Sequence, residues 1–171
     1  VCLKNASPEQ PILVLVHPGT GTIDCYLSFA SCFKLDYELV AIQFKQTKSK
    51  DLYELSAEYA AYLMAHYAKR RIHLLGYSLG AHIVFDMAKI LDAEGFSYET
   101  LSLVDAVPII NSDEIFYETS DEMNLLAKVL VHDYKVSEDQ LDLLLKYIQD
   151  RQNTLLSLCV NYKTLGKVQK P

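Results

Sequence analysis

No stretch of this sequence approaches the roughly 18 consecutive apolar residues that a membrane-crossing helix needs. The first residues carry no charged segment leading into an apolar one, so no signal peptide is expected. Basic charge is also short. The 16 Lys and Arg against 22 Asp and Glu leave a formal net charge of −6 and a pI near 5.3. A surface of that sign repels phosphate backbones, which argues against nucleic acid as the main partner. The small basic clusters, Lys69-Arg70-Arg71 and Lys163, Lys167 and Lys170, read as solvated ends of elements. Cys2, Cys25, Cys32 and Cys159 are too few for a disulfide scaffold, and their spacing fits no metal site. Reduced thiols in a cytoplasm are therefore expected, with no metal. Internal repeats and low-complexity linkers are missing as well. What is left is an ordinary globular composition, 50% hydrophobic and 22% charged over 171 residues, enough for one domain with a substantial core.

Within that domain, strands and helices alternate. Val1 to Lys4 reads as a short edge strand closed by the turn-forming Asn5-Ala6-Ser7-Pro8. Pro11 to Val16 is a β-branched apolar run without alternation, the mark of a strand covered on both faces in a parallel sheet. It ends in His17-Pro18-Gly19-Thr20-Gly21, a loop whose backbone N–H groups are free to face a ligand. His17 reads as a histidine bonded to loop backbone rather than a catalytic one. A helix over about Ile23 to Phe33, capped by Thr22 or Asp24, follows, then a strand over Leu39 to Phe44. Asp51-x-x-Glu54 has the form of a capping box opening a helix to about Ala68, with Leu55, Tyr59, Tyr62, Leu63 and His66 at helical spacing. His66 there reads as a partly buried surface residue rather than a ligand.

The densest chemistry lies in Arg71 to Ala88. Ile72 to Leu75 predicts a buried parallel strand, and Leu79, Ile83, Met87 and Leu91 one face of a helix ended by Gly95 in a left-handed cap. Between them, Gly76-Tyr77-Ser78-Leu79-Gly80 fits Gly-x-Ser-x-Gly, which places a serine on a sharp strand-to-helix turn. The glycines leave room for neighbouring backbone, and the next N–H points where the serine oxygen points. Ser78 is thus the candidate nucleophile. One strand later, Leu101-Ser102-Leu103-Val104 leads to Asp105, at the sheet edge where ligands of open α/β folds bind. A carboxylate there can fix a histidine's tautomer and stabilise its imidazolium; the plainer reading is an Asp capping the turn before Pro108. The strand–helix alternation predicts a mostly parallel sheet with right-handed crossovers.

His-Pro-x-x-Gly at 17–21, Gly-Tyr-Ser-Leu-Gly at 76–80 and Leu-Val-Asp-Ala-Val-Pro at 103–108 occur in the order and spacing of α/β-hydrolase thioesterase domains. The chain resembles those that end nonribosomal peptide and polyketide synthases, with fatty-acid synthase thioesterase as a relative. The resemblance covers nearly the whole chain. It implies Ser78 as nucleophile, Asp105 as triad acid, and an oxyanion hole at the backbone N–H groups of Gly19 and Leu79. Tyr77 before the serine resembles the integrated, chain-releasing type. The implied reaction releases an acyl or peptidyl chain from the phosphopantetheine thioester of a carrier protein, through an acyl-serine, to water or to an internal nucleophile. No cofactor is implied. Residues 1–171 form a single domain on this reading, with a hydrolase core over 1–110 and lid helices within 113–162. The lid helices are Glu122 to His132 and Ser137 to Leu158, the second opened by Ser137-Glu138-Asp139-Gln140. Exposed apolar residues among Leu125, Leu126, Val129, Leu143, Leu144 and Tyr147 would favour a lid over core helices.

The family's histidine lies beyond the acid, past two more strands, and here the sequence departs from the pattern. After Asp105 it offers only His132, in the expected lid; His73 belongs to the strand before the elbow and His82 to the helix after it. The triad histidine is therefore left unassigned. The expectation is the N-terminal two-thirds of a thioesterase domain, with 101–104 left as an unprotected apolar edge. Two alternatives stay open: a lipase or esterase of the same fold, and a non-catalytic hydrolase-fold module that binds an acyl carrier without turnover.

Overall fold

The computed structural model describes residues 1–106 and 136–159. In chain order these form β1 (Cys2–Lys4), β2 (Ile12–Val16), α1 (Cys25–Cys32), β3 (Glu38–Ile42), α2 (Leu52–Tyr67), β4 (Ile72–Tyr77), α3 (Leu79–Ala93), β5 (Thr100–Val104) and α4 (Glu138–Cys159). The expected helix at 122–132, with Leu125, Leu126, Val129 and His132, lies outside the described residues.

The five strands form one sheet in the order β1-β3-β2-β4-β5. Only β1 is antiparallel, to β3; β2 is parallel to β3 on one side and β4 on the other, and β5 is parallel to β4. The central strand is the fully buried apolar run that periodicity singles out. In register, Val16 stands opposite both Ile42 and Gly76, so β2 and β3 end level and β4 runs one residue further. Because the chain leaves β2 towards β3 and later returns to its other side, the ends of β2 and β4 part at a crevice, where open α/β sheets bind ligands.

Strand alternation divides the core between the two sheet faces. Ile12, Val14, Val16, Val40, Ile72 and Leu74 face α2, α3 and the end of α4. Leu13, Leu15, Leu39 and Ala41 face the other way and form a smaller cluster with Tyr26 of α1.

Local chemistry sets the helix ends, with some departures from expectation. Neither Thr22 nor Asp24 caps α1 through its side chain; Asp24 holds the cap position but is already helical, and the Thr22 amide donates to Thr20 Oγ1. The Asp51 carboxylate accepts from the Glu54 amide at 2.8 Å, while Glu54 reaches back to the Lys50 amide rather than to Asp51. Along α2 the buried stripe is Leu52, Leu55, Ser56, Ala60 and Leu63. Tyr62 and His66 stack on each other outside it, and His66 is exposed rather than partly buried. The end of α3 is a Schellman motif: Phe96 N–H donates to Leu91 and Gly95 N–H to Asp92, with Gly95 at φ 69°.

One strand differs from expectation at its end. β3 ends at Ile42, because the Phe44 amide turns to the Gly21 carbonyl and the ring joins the core. Among the described residues β5 is an edge strand with Leu103 and Val104 exposed, the apolar edge expected at 101–104, and Asp105 follows it. In α4, Leu143 is 72% exposed and Tyr147 stands out beside it, whereas Ile148, Leu155, Leu156 and Leu158 are buried. Leu143 and Tyr147 are thus the exposed ones among the described residues named above as telling a lid from core helices.

Candidate functional site

Between β4 and α3 the backbone turns at Ser78. Its φ of 53° and ψ of −123° fall where a residue with a Cβ pays about 1–3 kcal/mol. Packing around the two flanking glycines holds it there. A Cβ on Gly76 would sit 2.0 Å from the Gly80 carbonyl oxygen, and one on Gly80 would sit 2.5 Å from the Val16 oxygen and 2.6 Å from that of His17. Both glycines are required by contact, as the motif implies. The serine is thereby presented at the N-terminus of α3, whose first N–H groups, Leu79 included, have no intrahelical partner.

Two other strand ends meet this turn. The Ser78 amide donates to the Val104 carbonyl at 2.9 Å, which stitches the elbow to the residue just before Asp105. Asp105 is exposed and, at φ 53°, shares with Ser78 the distinction of a left-handed φ without being glycine among the described residues. On the β2 side, Gly19 packs against Leu79, with 3.9 Å between the Leu79 Cβ and the place where a Gly19 Cβ would stand. The structure thus gathers Ser78, Leu79, Gly19 and the backbone leading to Asp105 around one crevice.

The loop after β2 is held by side chains. Tyr26 donates to the Val16 carbonyl at 2.6 Å. His17 is fully buried, with Nδ1 2.8 Å from the Pro18 carbonyl and Nε2 3.0 Å from the Tyr59 hydroxyl. A carbonyl can only accept, so Nδ1 carries the proton and Nε2 accepts from Tyr59. Burial drives the His17 pKa down to about 4, with the Arg151 guanidinium adding to the effect, so the ring is neutral near pH 7. Burial likewise raises the Tyr26 and Tyr59 hydroxyls, keeping them as donors. The expectation that His17 bonds to loop backbone holds. Tyr59 and Arg151 were missed as supports: Tyr59 lay in the helical stripe with only its polar tip as a hint, and nothing near Arg151 in sequence signals its role.

The other histidines have their own surroundings. His66 bonds to the Tyr62 carbonyl on the outside of α2, and His73, its pKa lowered by burial, bonds to Thr100. His82 lies one turn into α3, and His132 is outside the described residues. All four cysteines are free, with burial pushing the Cys159 thiol up to about 12. Among the described residues no cluster could hold a metal ion, and no helix is long and apolar enough to cross a membrane. A groove of about 460 Å³ opens between β1, the end of β3 and α2, but none of the elbow residues lines it. The crevice at Ser78 is marked by backbone geometry, not by cavity size.

A thioesterase domain model matches residues 11–163. A dimodular nonribosomal peptide synthase from Bacillus subtilis (strain 168) is 31% identical over 109 residues, 61% of this chain and 5% of that protein. An inactive atromentin synthetase from Paxillus involutus is 30% identical over 129 residues, 73% of this chain and 13% of that protein. The chain thus spans a small fraction of the curated relatives it matches. Among solved structures, the NocB thioesterase domain from the nocardicin cluster superimposes with a TM-score of 0.66 at 19% identity, over 92% of this chain and 66% of that one. The surfactin-cyclising thioesterase domain SrfTE gives 0.65 at 20%, over 94% and 65%, and the type II thioesterase BorB of the borrelidin cluster 0.66 at 18%, over 98% and 72%. At these identities the superpositions speak to the fold, the α/β-hydrolase fold. With the family model covering most of its length, the chain belongs to the thioesterase domain family.

Proposed function

We propose that this chain carries the nucleophile half of a serine thioesterase that releases an acyl or peptidyl chain from the phosphopantetheine arm of a carrier protein. The observation that carries the reading is the elbow: a strained serine, wedged between two contact-locked glycines at a helix N-terminus, with Gly19 packed against Leu79 across the crevice. The Ser78 hydroxyl attacks the thioester carbonyl, and the N–H groups of Gly19 and Leu79 hold the oxyanion that develops. Collapse expels the pantetheine thiol and leaves an acyl-serine, which water or a nucleophile within the chain then resolves. Asp105 orients and stabilises the histidine that takes the serine proton. By the family's order that histidine follows the acid; His132 is the one such residue within 1–171. The reaction needs no metal or organic cofactor. Kinship with a nonribosomal peptide synthase supports a carrier protein as partner.

A non-catalytic module is the second reading, favoured by the relative named inactive. Intact mass after exposure to an alkyl fluorophosphonate, with release of thiol from an acyl-N-acetylcysteamine thioester, separates the two. Labelling and thiol release that both vanish in Ser78→Ala establish the serine mechanism. Labelling that survives Ser78→Ala sinks the assignment, and no labelling of the unmodified chain favours the non-catalytic module.

A further inference from the structure

Arg151 joins the far end of the described chain to the loop opposite Ser78. It lies where α4 passes from its exposed half, with Leu143 and Tyr147, to its buried half, with Gln152 and Leu155. Nη2 donates to the Gly21 carbonyl at 3.0 Å, an oxygen that also accepts from the Phe44 amide at 3.0 Å. Nη1 donates to the Tyr147 hydroxyl one turn earlier, and the guanidinium lies over the Phe44 and Tyr147 rings, 5.5 and 4.9 Å from their centroids. Gly21 must be glycine there: its φ is 71°, and a Cβ would fall 3.0 Å from Phe44 Cβ and 3.2 Å from Arg151 Nε.

The bonds continue into the site. The Gly21 amide donates to the Pro18 carbonyl at 2.9 Å, and that carbonyl also takes the His17 Nδ1 proton at 2.8 Å. The Pro18 carbonyl and the Gly19 N–H belong to one planar trans peptide and point in opposite directions, so fixing one aims the other. An arginine suits this place because its planar fork serves two acceptors while its face packs on two rings; a lysine supplies a single charged point.

We propose that Arg151 is a positioning residue, which locks the 18–21 loop so that the Gly19 N–H faces the elbow and thereby ties the outer half of α4 to the oxyanion hole. The inference rests on the reading of Gly19 as an oxyanion donor. Movement of Tyr147 and its neighbours by an incoming acyl chain would then register at the reacting carbonyl.

The test follows fluorophosphonate labelling of the full chain and of Arg151→Met, Arg151→Lys and Ser78→Ala, with amide exchange at Gly21 and Phe44 read alongside. Arg151→Met is expected to lower the maximal labelling rate about ten-fold while half-saturation by the probe stays within about two-fold. Exchange at Gly21 and Phe44 should quicken about ten-fold, with the Leu74 amide in β4 unchanged. Arg151→Lys should recover part of both effects. Unchanged labelling and exchange in Arg151→Met overturn the proposal. Labelling that survives Ser78→Ala, or is missing in the unmodified chain, defeats the functional reading instead; exchange at Gly21 and Phe44 then decides whether Arg151 holds the loop. Should Arg151→Met fail to fold, Tyr147→Phe is expected to slow labelling about two-fold, and an unchanged rate there overturns the proposal equally.

Discussion

The two walls of the crevice are built by opposite means. On the elbow side, Gly76 and Gly80 press backbone against backbone, Gly76 on the Gly80 carbonyl and Gly80 on the carbonyls of Val16 and His17. The side formed by the loop after β2 is propped by side chains from three helices: Tyr26 of α1, Tyr59 of α2 and Arg151 of α4. One wall is fixed mainly by close contacts that do not depend on a titrating group. The other depends on hydrogen bonds and on a neutral imidazole, so it is the wall that pH and remote substitutions can loosen.

That contrast predicts a ranking of effects. Gly76→Ala, with its Cβ 2.0 Å from a carbonyl oxygen, should cost more than about 3 kcal/mol, seen as lost soluble expression or a large fall in urea midpoint. A stably folded Gly76→Ala would mean that the elbow is not held by contact. The His17 effect is conditional on pH. Its pKa is about 4 when folded and 6.5 as the ordinary value, so between these the unfolded chain binds the extra proton. Stability should therefore be intact above about pH 6.5 and fall as pH drops towards 4, by a total on the order of 3 kcal/mol. His17→Gln should flatten that part of the urea-midpoint profile; an unchanged slope would assign it to carboxylates elsewhere. Smallest is Tyr59→Phe, which leaves His17 Nε2 without its donor and should cost about 1–2 kcal/mol. It should also raise exchange at Gly21 with no change at Ala81 in the elbow. Equal loosening at both would erase the distinction between the walls.

The same contrast explains what the sequence discloses. The elbow, the central strand and the Gly95 cap are legible because each rests on local sterics or on periodicity within a few residues. Asp105 is legible as the residue that ends β5, but its left-handed φ of 53° is not, since no glycine or asparagine marks the turn. Tyr62 and His66 were assigned to the α2 stripe because spacing alone cannot say where the buried arc ends. Arg151 was invisible: it acts on Gly21 across 130 residues, and no local pattern marks a cation that bonds to a backbone carbonyl.

The placement of β2 at the centre of the sheet has a consequence for how the protein is made. Synthesis delivers β1, β2 and β3 first, yet Ile12, Val14, Val16 and Val40 are covered by α2 and α3, which are not complete until Ala93. At about 5–20 residues per second, the nascent sheet presents its larger apolar face bare for several seconds. Over much of that interval the edge of β2 that β4 will occupy is open as well. Translation pauses between Ile42 and Tyr77 therefore fall where this chain is most open to capture by another strand, or to a chaperone's protection.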